Sequence, residues 1–300
     1  MLRLHEHRTP LPLPTPLGAY TFPRVASPFV CALNRWRDRP LPADDEPEKT
    51  AEAIASWSVD YVVITSVDRD DIFDGGAEHY ARVVRRVKQL KPSMRLECLT
   101  PDFNGTSGLA GVATVASAGL DVYAHNIETV ERLQGTVRDR RAGYSESLGV
   151  LEHARAINPS VVTKSSIMLG LGEEPAEVRQ TMRDLRDAGV EIFTLGQYLR
   201  PSRRHMKVAR MLPPEEYDAW REEGMAMGFK YVASGPLVRS SYKAGEVFLK
   251  AILEAKDAER PSGSILTGVE EAAAAPRAVR WTPDLEQAEG RAARVLSGAA

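Results

Sequence analysis

From Glu46 onward, short apolar and β-branched runs alternate with segments whose apolar residues repeat at helical spacing. Residues 80, 83, 84 and 87 are all apolar and stand at i, i+3, i+4 and i+7, which predicts an amphipathic helix. The runs predict six strands, at 61–65, 95–99, 120–124, 161–167, 191–195 and 229–233. Helices are predicted between them, at 48–57, 109–118, 145–156 and 214–227, and in a segment that begins near Pro175. Strands separated by crossover helices form a parallel sheet.

Polar residues follow directly after five of these strands. They are Thr65-Ser66, Thr100-Pro101-Asp102, His125-Asn126, Gly196-Gln197 and Ser234-Gly235. In a barrel they would converge on one mouth, where barrel enzymes keep their chemistry. In an open doubly wound sheet they would meet at one crevice instead. The pattern therefore predicts an α/β fold, and we favour a partial barrel over the open sheet.

The composition narrows the classes of partner. The chain has 300 residues, of which 43% are hydrophobic, and its formal net charge is −2. A charge this close to zero gives no broad attraction to nucleic acid or to anionic membranes. No apolar run approaches the roughly 18 residues that a membrane span needs. We therefore predict neither a nucleic-acid nor a membrane partner.

The two ends of the chain differ from its centre. Residues 1–39 hold several arginines, many prolines and few acidic residues, which fits either a cleaved organelle-targeting peptide or a disordered leader, and residues 1–30 form the divergent part. Residues 257–300 are rich in Ala, Glu and Arg and have few large apolar groups, which predicts a disordered tail. The two cysteines, Cys31 and Cys98, fit a reducing compartment better than a disulfide framework.

Gly75 and Gly76 precede the helix that carries Glu78. Paired glycines let the backbone approach a ligand closely, and free N–H groups at a helix start favour a negative group. The alternative is an ordinary helix cap. Further along, Asn126 and Glu128 lie at a strand end and offer a donor and an acceptor of the kind that binds the two hydroxyls of a ribose.

Lys164 interrupts a strand that should be continuously apolar in a parallel sheet. Inside a barrel it must find an anion or lose its charge, unless it snorkels outward past its neighbours. The segment 197–205 gathers three arginines and a histidine, and either binds a carboxylate or phosphate or forms a solvated basic loop. Ser240, next to Arg239, is by itself typical of a helix cap.

Seven segments together resemble lipoyl synthase, in that family's order, within residues 31–256: they are 60–71, 74–79, 97–103, 119–129, 163–173, 195–205 and 231–246. The resemblance implies a radical S-adenosylmethionine enzyme with a partial (βα)6 barrel. It implies insertion of two sulfur atoms at C6 and C8 of an octanoyl-lysine on lipoyl-domain proteins, such as 2-oxoacid dehydrogenase E2 subunits and the glycine cleavage H protein. It further implies the mitochondrial matrix, with the plastid stroma as the alternative.

The same resemblance implies S-adenosylmethionine and two [4Fe–4S] clusters as cofactors. It assigns the methionine amino group to Gly75, Gly76 and Glu78, and the ribose to Asn126 and Glu128. Arg138 and Lys164 become polar partners of the cofactor. Ser240 corresponds to a serine ligand of the auxiliary cluster, and Cys31 to the third cysteine of the family's Cys-x-x-x-Cys-x-x-Cys motif.

The chain departs from the family where the other two cysteines of that motif belong. Arg24 and Pro28 occupy those positions, and residues 1–23 contain no cysteine. A cluster needs thiolates on at least three of its irons, so the chain as printed is expected to be inactive in sulfur insertion. Three interpretations remain: an N-terminal segment that differs from that of the working protein, a non-catalytic paralogue that binds S-adenosylmethionine or a lipoyl-domain protein, or an unrelated barrel that uses Asp68, His125 and Lys164 in acid–base chemistry.

Overall fold

The computed structural model describes residues 2–5, 42–66, 69, 71–103 and 108–239. Seven strands form one sheet: β1 (Leu2–His5), β2 (Tyr61–Ser66), β3 (Arg95–Leu99), β4 (Val122–Ala124), β5 (Val162–Leu169), β6 (Ile192–Gln197) and β7 (Tyr231–Gly235). The helices are α1 (Glu46–Ser56), α2 (Ala77–Leu90), α3 (Leu109–Ala116), α4 (Gln134–Val137), α5 (Tyr144–Ile157), α6 (Pro175–Asp187) and α7 (Pro214–Ala226), with a short 3₁₀ helix at Glu131–Leu133.

The strands lie side by side in the order in which the chain reaches them. Strands β2 to β7 are parallel, and β1 pairs with β2 in the antiparallel direction. A doubly wound sheet would reverse its strand order at a switch point, and this sheet does not. The predicted partial barrel of six parallel strands is therefore confirmed. Strand β1 was not predicted: it has only four residues, Leu2–His5, in which apolar and polar residues alternate.

Apolar stripes on the helices cover the convex face of the sheet. The predicted stripe of α2, at 80, 83, 84 and 87, is fully buried against Leu96 and Cys98 of β3 and other residues of that face. A second cluster joins α6 and α7 to β5, β6 and β7. Helix α6 begins at Pro175, as predicted, and Glu174 and Glu177 form its capping box. Among the described residues, no helix has both the length and the apolar character to cross a membrane.

The concave face follows from the alternation of side chains along each strand. Leu96 and Cys98 belong to the convex cluster, so Glu97 lies on the opposite face. By the same alternation Ile167 is convex, and Lys164 is concave. A small apolar cluster on the concave side, which includes Val122, Val162 and Ile192, fills the amino-end layer of the barrel. The carboxyl ends of the parallel strands, with the loops that follow them, form the mouth.

Candidate cofactor site

Glu128 holds an unusual backbone conformation just beyond β4. Its φ is 65°, in the left-handed region that costs a non-glycine residue roughly 1–2 kcal/mol. Two backbone hydrogen bonds to β5 hold it there: its N–H donates to the Ser166 carbonyl at 3.0 Å, and its carbonyl accepts from the Met168 N–H at 2.9 Å. The strain is therefore imposed by the sheet, which is typical of residues that the fold positions for a function.

The carboxyl group of Glu128 is partly buried and has spare acceptor capacity. Burial raises its pKa, although the charge of Arg138 and a hydrogen bond from Asn126 lower it. The Asn126 Nδ2 donates to Oε1 at 3.2 Å, and among the described residues we find no second donor to this carboxylate. An ionised carboxylate accepts about four hydrogen bonds. Glu128 can therefore accept further hydrogen bonds from a ligand.

Four polar side chains form a buried cluster beside this turn, which we call the mouth network: Asp102, His125, Arg138 and Ser147. Arg138 Nη2 contacts Asp102 Oδ1 at 2.7 Å, and His125 Nε2 lies 3.2 Å from the same oxygen. Arg138 also donates to the Ser147 hydroxyl at 2.7 Å. Burial alone would raise the pKa of Asp102, but the hydrogen bond from His125 and the charges of His125 and Arg138 outweigh it and lower that pKa.

The mouth network joins the loops after β3 and β4 to α5. Asp102 follows β3, His125 follows β4, and Ser147 lies on α5. Arg138, which ends α4, is buried, and its guanidinium is already bound within the chain. Its charge reaches Glu128 and lowers the pKa of that carboxyl. Its predicted role as a direct partner of the cofactor stays a prediction.

Gly75 and Gly76 both have positive φ, at 63° and 83°. A Cβ at Gly75 would lie 3.1 Å from the Phe103 ring, so the loops after β2 and β3 pack closely here. The Asp74 carboxylate accepts from the N–H of Gly76 at 3.0 Å and from that of Glu78 at 2.8 Å. A side chain of the chain itself thus supplies a negative group at this helix start, as the helix-cap alternative requires.

Glu78 is exposed at the start of α2, where its carboxylate pairs with Arg85. The methionine-binding role of Gly75, Gly76 and Glu78 stays a prediction. Phe103, against which Gly75 packs, is preceded by Asp102 of the mouth network. The loops after β2, β3 and β4 are therefore joined by a continuous series of contacts from Gly75 to the turn at Glu128.

Lys164 is buried, and its ammonium contacts both carboxylate oxygens of Glu97, at 2.7 and 2.9 Å. The Tyr61 hydroxyl donates to the same carboxylate. The prediction that a lysine inside the barrel must find an anion is confirmed, and the snorkelling alternative is wrong. Glu97 was missed, yet it gives the same signal as Lys164: a charge inside an otherwise apolar parallel strand. Whether Lys164 also contacts the cofactor stays a prediction.

Cys31, Ser240 and Asp68 lie outside the described residues. Cys98 lies in the convex core, and burial raises its pKa to about 12, which keeps the thiol protonated. In the parts of the chain that the structure describes, no three His, Cys, Asp or Glu side chains are grouped to hold a metal ion. Only Cys31 remains as a thiolate donor in the sequence, so the donor set does not fit a cubane cluster.

Comparison with known proteins decides the family. The sequence model of the Radical SAM superfamily matches residues 25–185. Lipoyl synthase, chloroplastic, of Ostreococcus lucimarinus is 58% identical over 229 residues, which cover 76% of this chain and 70% of that protein. This chain belongs to the lipoyl synthase family. Lipoyl synthase, mitochondrial, of Danio rerio is 56% identical over 235 residues, which cover 78% of this chain and 58% of that protein.

Lipoyl synthase 1, chloroplastic, of Zea mays is 57% identical, and the match covers 74% of this chain and 61% of that protein. The chain thus spans 58 to 70% of the length of these three lipoyl synthases. The superfamily match begins at residue 25, earlier than the start near Cys31 that the sequence motifs indicated. Among solved structures, methylornithine synthase superposes with a TM-score of 0.48 at 12% identity, over 69% of this chain and 66% of that one.

Proposed function

We propose that the mouth of this lipoyl synthase barrel binds S-adenosylmethionine, with Glu128 as the acceptor for the ribose hydroxyls. The observation that supports this most directly is the conformation of Glu128. Two hydrogen bonds with β5 hold its backbone at a positive φ, and its partly buried carboxylate can accept further hydrogen bonds. A ribose diol donates two hydrogen bonds from adjacent hydroxyls, and Asn126 is placed two residues away to add a polar contact.

The remaining assignments follow from the family and from the loops that the barrel brings together. Gly75, Gly76 and Glu78 lie on the loop after β2 and at the start of α2, where we place the methionine amino group. Arg138 and Lys164 give this region positive charge that Asp102 and Glu97 partly offset. Bound S-adenosylmethionine supplies the 5′-deoxyadenosyl group that abstracts hydrogen from the substrate in this family.

We further propose that the substrate class is the family's: an octanoyl-lysine on a lipoyl-domain protein, with sulfur insertion at C6 and C8. The chain as printed is proposed to bind but not to convert it, because Arg24 and Pro28 replace two thiolate donors. Iron and sulfide analysis of the purified chain tests this proposal. A full complement of about eight irons, enough for two cubane clusters, would contradict it.

The compartment is proposed from the relatives, whose names are both chloroplastic and mitochondrial. We propose an organelle, with the mitochondrial matrix favoured and the plastid stroma as the alternative. The several arginines and few acidic residues of residues 1–39 support targeting. Import of a fusion that carries residues 1–39 into isolated mitochondria or plastids distinguishes the two.

Isothermal calorimetry with S-adenosylmethionine tests the cofactor site. Glu128→Gln keeps the size of the side chain but loses the charge-assisted hydrogen bonds to the ribose, so we expect binding to weaken about tenfold or more. Glu152→Gln is the matched control, because Glu152 is an exposed residue of α5. No binding by the parent chain, or equal affinities for the parent and Glu128→Gln, would contradict the proposal.

A further inference from the structure

A basic loop, residues 199–211, which we call the strap, connects β6 to α7 and lies on the carboxyl ends of β5 and β6. It is anchored at both ends. Next to its start, the N–H of Tyr198 donates to the Leu169 carbonyl at 2.8 Å. At its end, the N–H of Ala209 donates to the Gly170 carbonyl at 2.8 Å. A side chain at Gly170 would collide with the Arg210 carbonyl, so a glycine here lets the strap lie directly on the end of β5.

Gln197, the last residue of β6, fixes the strap from beneath. Its buried side-chain amide donates to the carbonyls of Leu169, Tyr198 and Arg210, each at 3.1 Å, and accepts from the N–H of Leu212 at 3.0 Å. The Tyr198 hydroxyl donates to the carbonyl of Met206 in the middle of the strap at 3.1 Å. These bonds give the loop a defined shape, so it presents its side chains in fixed positions.

The strap carries cations without acidic neighbours. Residues 198–214 contain four arginines and one lysine and no Asp or Glu. Arg200 bonds to backbone carbonyls of the strap, and Arg210 pairs with Glu216 at 2.6 Å. The other three cations, Arg203, Arg204 and Lys207, are exposed, and within the described residues no carboxylate pairs with them.

Many surface arginines outside the strap differ from these three cations in having carboxylate partners. Those elsewhere on the barrel have carboxylate partners in many places, including Arg86–Glu48, Arg132–Glu177, Arg155–Glu191, Arg179–Glu223 and Arg221–Asp218. Clustered like charges repel one another, and a chain with 41 acidic residues had ample means to neutralise them. Within the described residues these three charges stay without a carboxylate partner, which points to an anionic partner outside the chain.

The form of the strap indicates a protein partner. Two large apolar side chains flank the cations: Leu199 is 47% exposed and Met211 is 60% exposed. Apolar anchors beside charged groups are typical of protein–protein contacts. Single-stranded nucleic acid would instead be expected to stack on exposed Phe, Tyr or Trp rings, and Tyr198, the one such residue of 198–211, is buried.

We propose that the strap is the docking surface for an acidic face of the carrier protein that bears the octanoyl-lysine. This inference rests on the proposed function, and it names the surface through which that substrate reaches the mouth. Both anchors of the strap lie at the carboxyl ends of β5 and β6. A carrier seated there therefore holds its lysine arm beside the mouth. Complementary charge in such a contact chiefly raises the association rate and selects the partner.

Biolayer interferometry with an immobilised octanoylated lipoyl domain tests the proposal. We expect the parent chain to bind, with affinity that falls as salt rises from about 50 to about 300 mM. The combined variant Arg203→Glu/Arg204→Glu/Lys207→Glu should weaken binding about tenfold or more and lose that salt dependence. The matched control, Lys49→Glu/Arg183→Glu/Arg221→Glu, makes the same change in net charge on α1, α6 and α7, and should bind within about twofold of the parent.

Calorimetry with S-adenosylmethionine on the same proteins separates this inference from the cofactor proposal. The strap variant should keep its cofactor affinity. If cofactor binding is absent but the carrier still binds in a strap-dependent way, the cofactor proposal fails and the docking surface stands. The inference is overturned if the parent does not bind the domain, if the strap variant binds it as well as the parent does, or if an RNA oligonucleotide binds the strap as tightly as the domain.

Discussion

Two sets of cations in this barrel differ in how the chain satisfies their charge. Lys164 and Arg138 are buried, and each contacts a carboxylate of the chain at 2.7 Å. Arg203, Arg204 and Lys207 are exposed on the strap, and no described carboxylate pairs with them. The first set has its carboxylate partners within the fold. The second lies on a loop whose backbone is held by hydrogen bonds, and its charges remain available to a partner.

The difference follows from solvation. A charge removed from water loses several kcal/mol of hydration, so a buried cation needs a partner before the fold is viable. An exposed cation keeps its water, and a surface ion pair contributes about 0–1 kcal/mol. The stability of the fold therefore requires carboxylate partners for Lys164 and Arg138, whereas it depends little on partners for the strap cations. The following substitutions test that contrast.

Lys164→Met should have the largest effect on stability. It leaves the Glu97 carboxylate, whose side chain is 2% exposed, without its cation inside the barrel. We expect the free energy of unfolding to fall by about 3–5 kcal/mol, because removing one member of a buried pair strands the other charge. Urea unfolding followed by circular dichroism measures the change.

A second substitution separates the stranded charge from lost packing. In Lys164→Met/Glu97→Gln the carboxylate is gone, and the amide can still accept from the Tyr61 hydroxyl. We expect the double variant to recover about half of the loss. If the double variant were less stable than the single one, the cost would lie in packing, and the pair would not be the reason for burying a lysine.

Asp102→Asn should have an intermediate effect that depends on pH. In the folded chain the pKa of Asp102 is lowered below 3.8, so its stabilising contribution is present above that value and is lost as pH falls through the folded pKa. The variant should be less stable by about 2 kcal/mol at pH 7, since Arg138 loses its charged partner. The difference from the parent should shrink as the pH falls below 3.8 and through the lowered folded pKa of Asp102, where that carboxyl in the parent becomes protonated. A constant difference across that range would show that the charge of Asp102 does not stabilise the network.

The pattern of apolar residues along the chain predicted the architecture, because each strand and helix shows its buried positions within a short segment of sequence. Each of the six parallel strands was visible as an apolar run, and α2 as a stripe of period 3.6. The ends were less accurate: α1 begins at Glu46 rather than at residue 48, because Pro47 fits the first turn of a helix, and β5 continues to Leu169. Strand β1 was missed because its alternation of apolar and polar residues extends over only four positions.

The sequence predicted that a charged residue of the site needs a partner, but it did not predict which distant residue supplies that partner. That Lys164 needs an anion follows from its place in an apolar strand, but Glu97 lies 67 positions away and is found only in the folded sheet. The left-handed backbone of Glu128 has no signal in the sequence, because two hydrogen bonds from β5 impose it. The start of α2 is a third case: the glycine pair indicated a negative group there, and the sequence did not show that Asp74 supplies one from within the chain.

The strap should show the smallest effect on stability, and this is the sharpest test of the contrast. Arg203→Glu/Arg204→Glu/Lys207→Glu alters three exposed side chains that no carboxylate of the described residues contacts, so the free energy of unfolding should change by no more than about 0.5 kcal/mol. Arg210→Ala is the matched comparison within the strap, because it breaks the two bonds from Arg210 to Glu216 of α7, at 2.6 and 2.7 Å. It should lower the free energy of unfolding by up to about 1 kcal/mol. Thermal and urea unfolding measure both. If the triple variant lost more stability than Arg210→Ala, the strap cations would serve the fold, and their exposure would no longer point to a partner.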